Sequence, residues 1–343
     1  MTTIKKIAER AGVSIGTVDR VIHNRGHVSK ETEKKVKKAI EELNYTPNFF
    51  AQHLKLSKIF KFGVLMPKFF QDSGYWKIPA RGIDKAQEEL YSLQVRVKYF
   101  HYDRYSHISF SNVCQQVLEA DLDGLLIAPV LSSVAEEFIS KIPSNLPYVF
   151  FDSIIPNTNY LTCIVQDSFL SGVLSAKLMQ MLVREGTIAI IKIYPEDYHI
   201  CERVKGFNHF YDGNLNIKTV TYDANIKADQ TDFHQLTNRI IYENKDLRGI
   251  FVTNALTYRV AEHLKSNSLD KKIHIIGYDL IEKNVIYLKE GFIDFLINQQ
   301  PARQGYQGIY SLYRHVVLKE RINKKIMMPL DIITKENIEC YLG

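Results

Sequence analysis

Apolar residues recur at helical spacing from the start of the chain. Ile4, Ile7, Ala8 and Ala11 fall at i, i+3, i+4 and i+7, which predicts a short helix with one buried face. Gly12 supplies a left-handed residue to end it. Ser14 can cap a second helix by accepting a backbone N–H. That helix, over 15–22, turns Val18, Val21 and Ile22 inward and leaves Ile15, Gly16, Thr17, Asp19 and Arg20 nearer the surface. Ser29 can cap a third, over 30–44, with Val36, Ala39, Ile40 and Leu43 inward and Lys34, Lys35, Lys37 and Lys38 in water. Thr46 and Pro47 suit the start of another helix. Residues 48–55 are too few to hold it alone, because helix nucleation is costly.

From residue 61 the pattern changes. Runs rich in β-formers, near 62–66, 94–100, 124–128, 148–151, 161–165, 187–193, 217–222, 250–253 and 273–278, alternate with helical stretches near 76–92, 108–119, 168–183, 199–211, 229–244 and 256–266. Such alternation predicts doubly wound parallel sheets, and the length predicts two lobes. Ligands in open α/β sheets sit beyond the C-terminal strand ends. Asp152, Asn254, Asp279 and Gln299 each follow an apolar run and are placed to line a shared cleft or to cap the next helix. Phe69, Phe70, Tyr75 and Trp76, after the first strand, offer faces for stacking or for packing.

The 343 residues are 45% hydrophobic and 24% charged, which excludes disordered and collagen-like classes. No apolar run approaches the ~18 residues that would span a bilayer. The charged N-terminus lacks the apolar core of a signal peptide, so a cytoplasmic protein without membrane partners is expected. Cys114, Cys163, Cys201 and Cys340 form no Cys-x-x-Cys pair, and buried reduced thiols are expected. The whole excess of six basic residues lies within residues 1–60, and the remainder is neutral. A basic module of three short helices beside a neutral body suggests a helix-turn-helix reader of DNA, with a protein-docking module as the competing reading.

Enzyme signatures are missing: no two glycines stand two apart, and no P-loop, His-Glu-x-x-His or Gly-x-Ser-x-Gly occurs. No catalytic residue, metal ligand or cofactor is assigned. Asp152 with Asp279 as the acid/base pair of a carbohydrate-active enzyme remains a distant alternative.

Residues 3–55 resemble the N-terminal region of the lactose-repressor (LacI/GalR) family of transcription regulators. The resemblance rests on Thr3-Ile4-Lys5-Lys6-Ile7-Ala8, Ala11-Gly12-Val13-Ser14, Thr17-Val18 with Arg20-Val21, Val28-Ser29, Ala39-Ile40-Glu41-Glu42-Leu43 with Tyr45, and Pro47-Asn48. It departs from the family pattern at Gly16 and Asp19. The resemblance implies that Thr3, Ser14, Ile15, Gly16, Thr17, Arg20, Asn24, Asn48, Leu54 and Lys55 contact DNA. Residues 15, 16 and 20 would read bases, Leu54 would wedge into a minor-groove step, and Lys55 would meet phosphate.

The body resembles the family's effector domain, which shares its fold with ribose-type periplasmic binding proteins. The matching motifs include Gly63-Val64-Leu65 with Pro67, Asp123-Gly124-Leu125-Leu126-Ile127, Arg203 with Gly206-Phe207, Ile276-Gly277-Tyr278-Asp279, and Gln299 with Pro301.

The fold implied is an all-α helix-turn-helix domain (1–46), a hinge helix and linker (47–60), and a two-lobed α/β periplasmic-binding-protein type I domain (61–343) with doubly wound parallel sheets. Lobe 1 would span 61–165 and 296–323, and lobe 2 would span 166–295 and 324–343. Tyr75, Trp76, Asp152, Arg203, Asn254, Asp279 and Gln299 form the expected effector site. The implied function is a homodimeric repressor of operator DNA under allosteric control by a small molecule, with a sugar expected. The alternative is a solute-binding-protein-like sensor with a non-sugar ligand or a phosphosugar, the latter held by an Arg203–Arg303 cluster.

Overall fold

Residues 4–22, 28–43, 58–224, 233–267 and 273–342 are those that the computed structural model describes. They divide after Lys58 into two units.

In the first unit, α1 (Ile4–Ala11), α2 (Ile15–Ile22) and α3 (Lys30–Glu42) surround a small core of Ile7, Ala8, Val18, Val21, Val36 and Ala39. The predicted punctuation is present. Gly12 has φ +66°, the Thr17 N–H donates to Ser14 Oγ at 3.1 Å, and the Thr32 N–H donates to Ser29 Oγ at 3.2 Å. Arg10 on α1 donates to Glu42 on α3 at 2.9 Å, tying the first helix to the third.

The second unit holds two six-stranded sheets. The first collects β1 (Phe60–Pro67), β2 (Val95–Tyr102), β3 (Gly124–Ile127), β4 (Tyr148–Phe151), β5 (Thr162–Val165) and β11 (Lys325–Met327), in the order β11-β5-β4-β3-β1-β2, all parallel. The second collects β6 (Gly186–Ile193), β7 (Ile217–Ala224), β8 (Leu247–Val252), β9 (His274–Tyr278), β10 (Phe295–Asn298) and β12 (Asp331–Ile333), in the order β12-β10-β9-β8-β6-β7. Only β12 runs antiparallel, against β10. Each sheet thus repeats one doubly wound order, with its switch point between the first and third strands of the lobe.

The helices of the second unit are α4 (Lys77–Leu90), α5 (His107–Glu119), α6 (Ser132–Lys141), α7 (Ser168–Leu182), α8 (Tyr198–Phe210), α9 (Phe233–Glu243), α10 (Tyr258–Ser266), α11 (Glu282–Lys289) and α12 (Pro301–Val316). Near-continuous apolar strands such as β3 and β4 are buried along their whole length, as expected where helices cover both sheet faces.

The chain passes between the lobes three times. The first passage, after Val165, lies where the sequence placed it. The other two lie later than expected. β10 pairs with β9, so residues 296–298 belong to lobe 2, not lobe 1. β11 pairs with β5, so residues 325–327 belong to lobe 1, not lobe 2. The reason is local: β11 is a three-residue edge strand, exposed at both ends, with no apolar run to announce it. The cysteines also differ from expectation, since Cys114 and Cys163 are buried but Cys340 is exposed.

Candidate functional site

The first unit presents Ser14, Ile15, Gly16 and Arg20 as exposed residues along the start and outer face of α2, with Thr17 half-buried among them. Ile15 is 53% exposed, unusual for a β-branched apolar residue with a core beside it. An apolar side chain there suits contact with a thymine methyl, and Arg20 suits a base edge or phosphate. Ser14 is occupied as the cap of α2, which leaves it the smaller share of any contact. Thr3, Asn24, Asn48, Leu54 and Lys55 lie outside the described residues.

In the second unit the C-terminal strand ends of the two sheets converge on one cleft. All seven expected residues, Tyr75, Trp76, Asp152, Arg203, Asn254, Asp279 and Gln299, line it. Asp152 follows β4 and Asp279 follows β9, and both hold left-handed backbone, with φ 68° and 67°. Asp tolerates that conformation better than most residues, and such positions collect at functional sites.

The polar groups of this cleft are bonded to one another. Arg203 projects from α8 and is 1% exposed. It donates to the Thr253 carbonyl at 2.7 Å and to Gln299 Oε1 at 2.6 Å, and its guanidinium lies 3.8 Å from the Tyr278 ring centre. Gln299 passes the interaction on, donating to both oxygens of Asp279 at 3.0 and 2.9 Å. The Tyr75 hydroxyl donates to Asp152 at 2.5 Å. Gln304 on α12 accepts from the Asp152 N–H at 2.8 Å and donates to the Gln299 carbonyl at 2.9 Å. Asn254 accepts from the Leu256 N–H at 2.9 Å, so it caps the next turn as well as facing the cleft.

A second set of bonds joins the lobes. Arg104, after β2, pairs with Asp72 at 3.3 Å within its lobe and with Asp197 at 2.5 Å across the cleft. Its guanidinium lies 3.8 Å from the Tyr194 ring centre. Tyr194 donates to Asp72 at 2.7 Å, and Ser73 shares a 2.8 Å bond with the Tyr258 hydroxyl.

Burial pushes Asp279 up to about 7, aided by Asp152 and opposed by Arg203 and the Gln299 bond. Burial likewise pushes Asp197 up to about 7 against the pull of Arg104. Asp152 is also raised by burial. His199 is driven well below its ordinary value by burial and by the nearby Arg203 and Arg104, so it stays neutral.

This arrangement sets a pH dependence. Asp279 keeps its proton to about 7 when folded and to about 4 when unfolded, so the folded chain holds the extra proton between those values. The stability it contributes is complete below about pH 4 and is lost as pH rises through about 7. Asp197 acts in the same direction. The larger unit of the ligand-free chain is expected to melt several degrees lower at pH 8 than at pH 5. Asp279→Asn should flatten part of that slope, and thermal unfolding of the full chain across this range checks both.

Residues 62–320 match the periplasmic binding protein domain, and residues 3–48 match the bacterial regulatory proteins of the lacI family. The chain belongs to the lacI family of bacterial regulators. It is 26% identical to the ribose operon repressor of Lactococcus lactis subsp. lactis (strain IL1403), over 98% of each chain. It is 28% identical to a putative LacI transcriptional regulator from Bacteroides fragilis, with a TM-score of 0.76 over 83% of this chain and 100% of that one. A glucose-galactose binding protein from Geobacillus stearothermophilus, at 21% identity, shares the fold of the body, with a TM-score of 0.72 over 82% of this chain and 99% of that one.

Two aromatics that the sequence offered for the cleft of this lacI-family regulator lie elsewhere. Phe69 packs edge-on against Tyr99 and His101, and Phe70 is 70% exposed. Arg303 is exposed and donates to Gln300, while Arg203 is buried and committed to Thr253 and Gln299, so the two do not form a phosphate-holding cluster. Sequence reading missed Asp72, Arg104, Tyr194 and His199, all of which line the cleft. Arg104 and Tyr194 were within reach of the strand-end rule that found Asp152 and Asp279, since they follow β2 and β6. Asn284, fully buried on α11, was not. It holds the loop after β9 by donating to the carbonyls of Ala255, Tyr278 and Asp279.

Proposed function

We propose that the chain is a DNA-binding repressor whose operator affinity is set by a neutral sugar bound between the lobes. The observation that carries the ligand class is the state of the charged groups in the cleft. Asp72, Asp152 and Asp279 on the cleft walls outnumber Arg104 and Arg203, and each guanidinium is already bonded to protein groups. Carboxylates, Gln and Asn pair well with sugar hydroxyls, and a phosphate there would face these acids. Tyr75 and Trp76 supply aromatic surface. Binding without turnover is the activity assigned, and such a regulator works where the DNA is, in the bacterial cytoplasm.

The mechanism is linkage. Ligand contacts that span both lobes favour one lobe arrangement, and the N-terminal readers of a homodimer sense it through residues 47–60. Coupling of about 1–3 kcal/mol is usual for such a device. A two-fold dimer calls for a pseudo-palindromic operator.

The test selects bound sequences from a random duplex pool with the full chain, then titrates the enriched duplex with salt and with neutral sugars. The expected result is a pseudo-palindromic site, a steep fall in affinity with salt, and a shift in affinity with one sugar class. A flat salt response, or enrichment of no sequence, refutes the DNA half. A folded chain that no sugar stabilises or shifts refutes the ligand half.

A further inference from the structure

A second cavity, of about 120 Å³, adjoins the cleft and shares Asp152 and His199 with it. It lies along the passages between the lobes, walled by Ser153 after β4, Gln166 and Ser168 at the first passage, and Lys325 on β11. The two compartments differ in which buried polar atoms are left open. In the first, the Arg203–Gln299–Asp279 and Tyr75–Asp152 bonds engage the carboxylates, and the open atom is a donor, Arg203 Nε. In the second, three residues more than nine-tenths buried each carry a polar atom without a partner among the described residues: Ser153 Oγ, Gln166 Oε1 and His199 Nδ1, the last bordering both compartments. Buried polar atoms are rarely left so, and a polar cavity of this size ordinarily fills with water or with ligand hydroxyls.

Gln166 is oriented by its own bonds. Its amide nitrogen donates to the carbonyls of Asn298 at 2.8 Å and of Pro329 at 2.6 Å. Those carbonyls belong to the second and third passages, so one side chain stitches all three passages together and leaves its oxygen as the unused acceptor. Asp152, Asp167 and Glu202 on the cavity wall outnumber Lys325, which disfavours an anionic substituent.

Resting on the sugar reading above, we infer that the ligand is a neutral two-unit saccharide. One ring sits at Asp152, Arg203, Asp279 and Gln299, and the second unit enters the adjoining cavity and donates a hydroxyl to Gln166 Oε1. Ligand contact with Gln166 then bears directly on the passages that set the lobe arrangement.

The test compares matched sugars on the full chain by titration calorimetry: glucose with maltose and cellobiose, and galactose with lactose and melibiose. Wild-type chain should bind one disaccharide at least about tenfold tighter than its monosaccharide, the gain expected from one or two added hydrogen bonds. Ser168→Phe, at the partly exposed start of α7, fills the cavity and should erase that advantage while leaving monosaccharide binding in place. Ser153→Ala, which removes one unpartnered hydroxyl without adding bulk, should weaken the disaccharide alone. Equal binding of the two sugar sizes, or an advantage untouched by both variants, overturns the inference and leaves the sugar reading standing. Binding of no sugar of either size overturns both.

Discussion

Arg203→Met should abolish the ligand response and lower the stability of the larger unit by about 3 kcal/mol, with a greater loss at pH 8 than at pH 5. Two effects compete. Removing a buried cation relieves its own desolvation cost, and Met restores much of the volume. Against that, Gln299 Oε1 and the Thr253 carbonyl both lose their donor, at about 1–3 kcal/mol for each buried group left unsatisfied. The contact with the Tyr278 ring is lost as well. The positive charge that opposes ionisation costs at Asp152 and Asp279 also disappears. The second group of effects outweighs the first, because three partners are orphaned for one charge removed. The pH term follows from Asp279, raised to about 7: at pH 5 it is protonated and needs no counter-charge, and at pH 8 it does. Arg203→Lys keeps the charge but not the planar fork, so it should recover the pH term and not the ligand response. Thermal unfolding at the two pH values, with and without ligand, separates these outcomes. An Arg203→Met chain that melts like wild type at both would contradict the account.

Gly206→Ala should be nearly as damaging, although it adds a single methyl group. A Cβ at Gly206 would sit 2.0 Å from the Phe169 carbonyl oxygen, and one at Gly172 would sit 2.0 Å from the Arg203 carbonyl oxygen. The backbones of α7 and α8 therefore touch where they cross. A backbone oxygen cannot rotate aside as a side chain can, so the helices must separate. Overpacking typically costs about 1–3 kcal/mol, and a backbone clash belongs at or above the top of that range. The effect reaches function because α8 carries His199 and Arg203 into the cleft. Gly206→Ala is thus expected to weaken ligand binding by more than about tenfold, while Gly206→Ser should do no better. Melting temperature and ligand titration on the same preparation check both halves. The first lobe uses the same device, since a Cβ at Gly82 on α4 would meet the Ala302 carbonyl on α12 at 1.7 Å.

Much of this was legible in the residues. The spacing of Ile7, Ala8, Val18, Val21, Val36 and Ala39 placed the small core, and Gly12, Ser14 and Ser29 placed its boundaries. Strand ends located Asp152, Asn254, Asp279 and Gln299, and these do meet in one cleft. The later passages between lobes were not legible. Apolar periodicity marks a strand that is buried along its length, and β11 and β12 have three residues each. Nor does local pattern say which sheet a strand such as β10 joins, because either sheet would bury Leu296 and Ile297 equally well.

The amino-acid sequence by itself determined the elements, their order, the division into a basic helical module and a neutral α/β body, and the polar residues at strand ends. Those features follow from local backbone preferences and from the need of each element to bury one face. Only the tertiary structure decided which charges are already answered by partners. Arg104 meets Asp197 from 93 residues away, and Gln166 reaches carbonyls 132 and 163 residues distant. Such pairings depend on how two sheets are set against each other, a long-range outcome that no window of local sequence contains. They set which buried polar atoms of the cleft and its adjoining cavity are bonded and which, such as Gln166 Oε1, are left open.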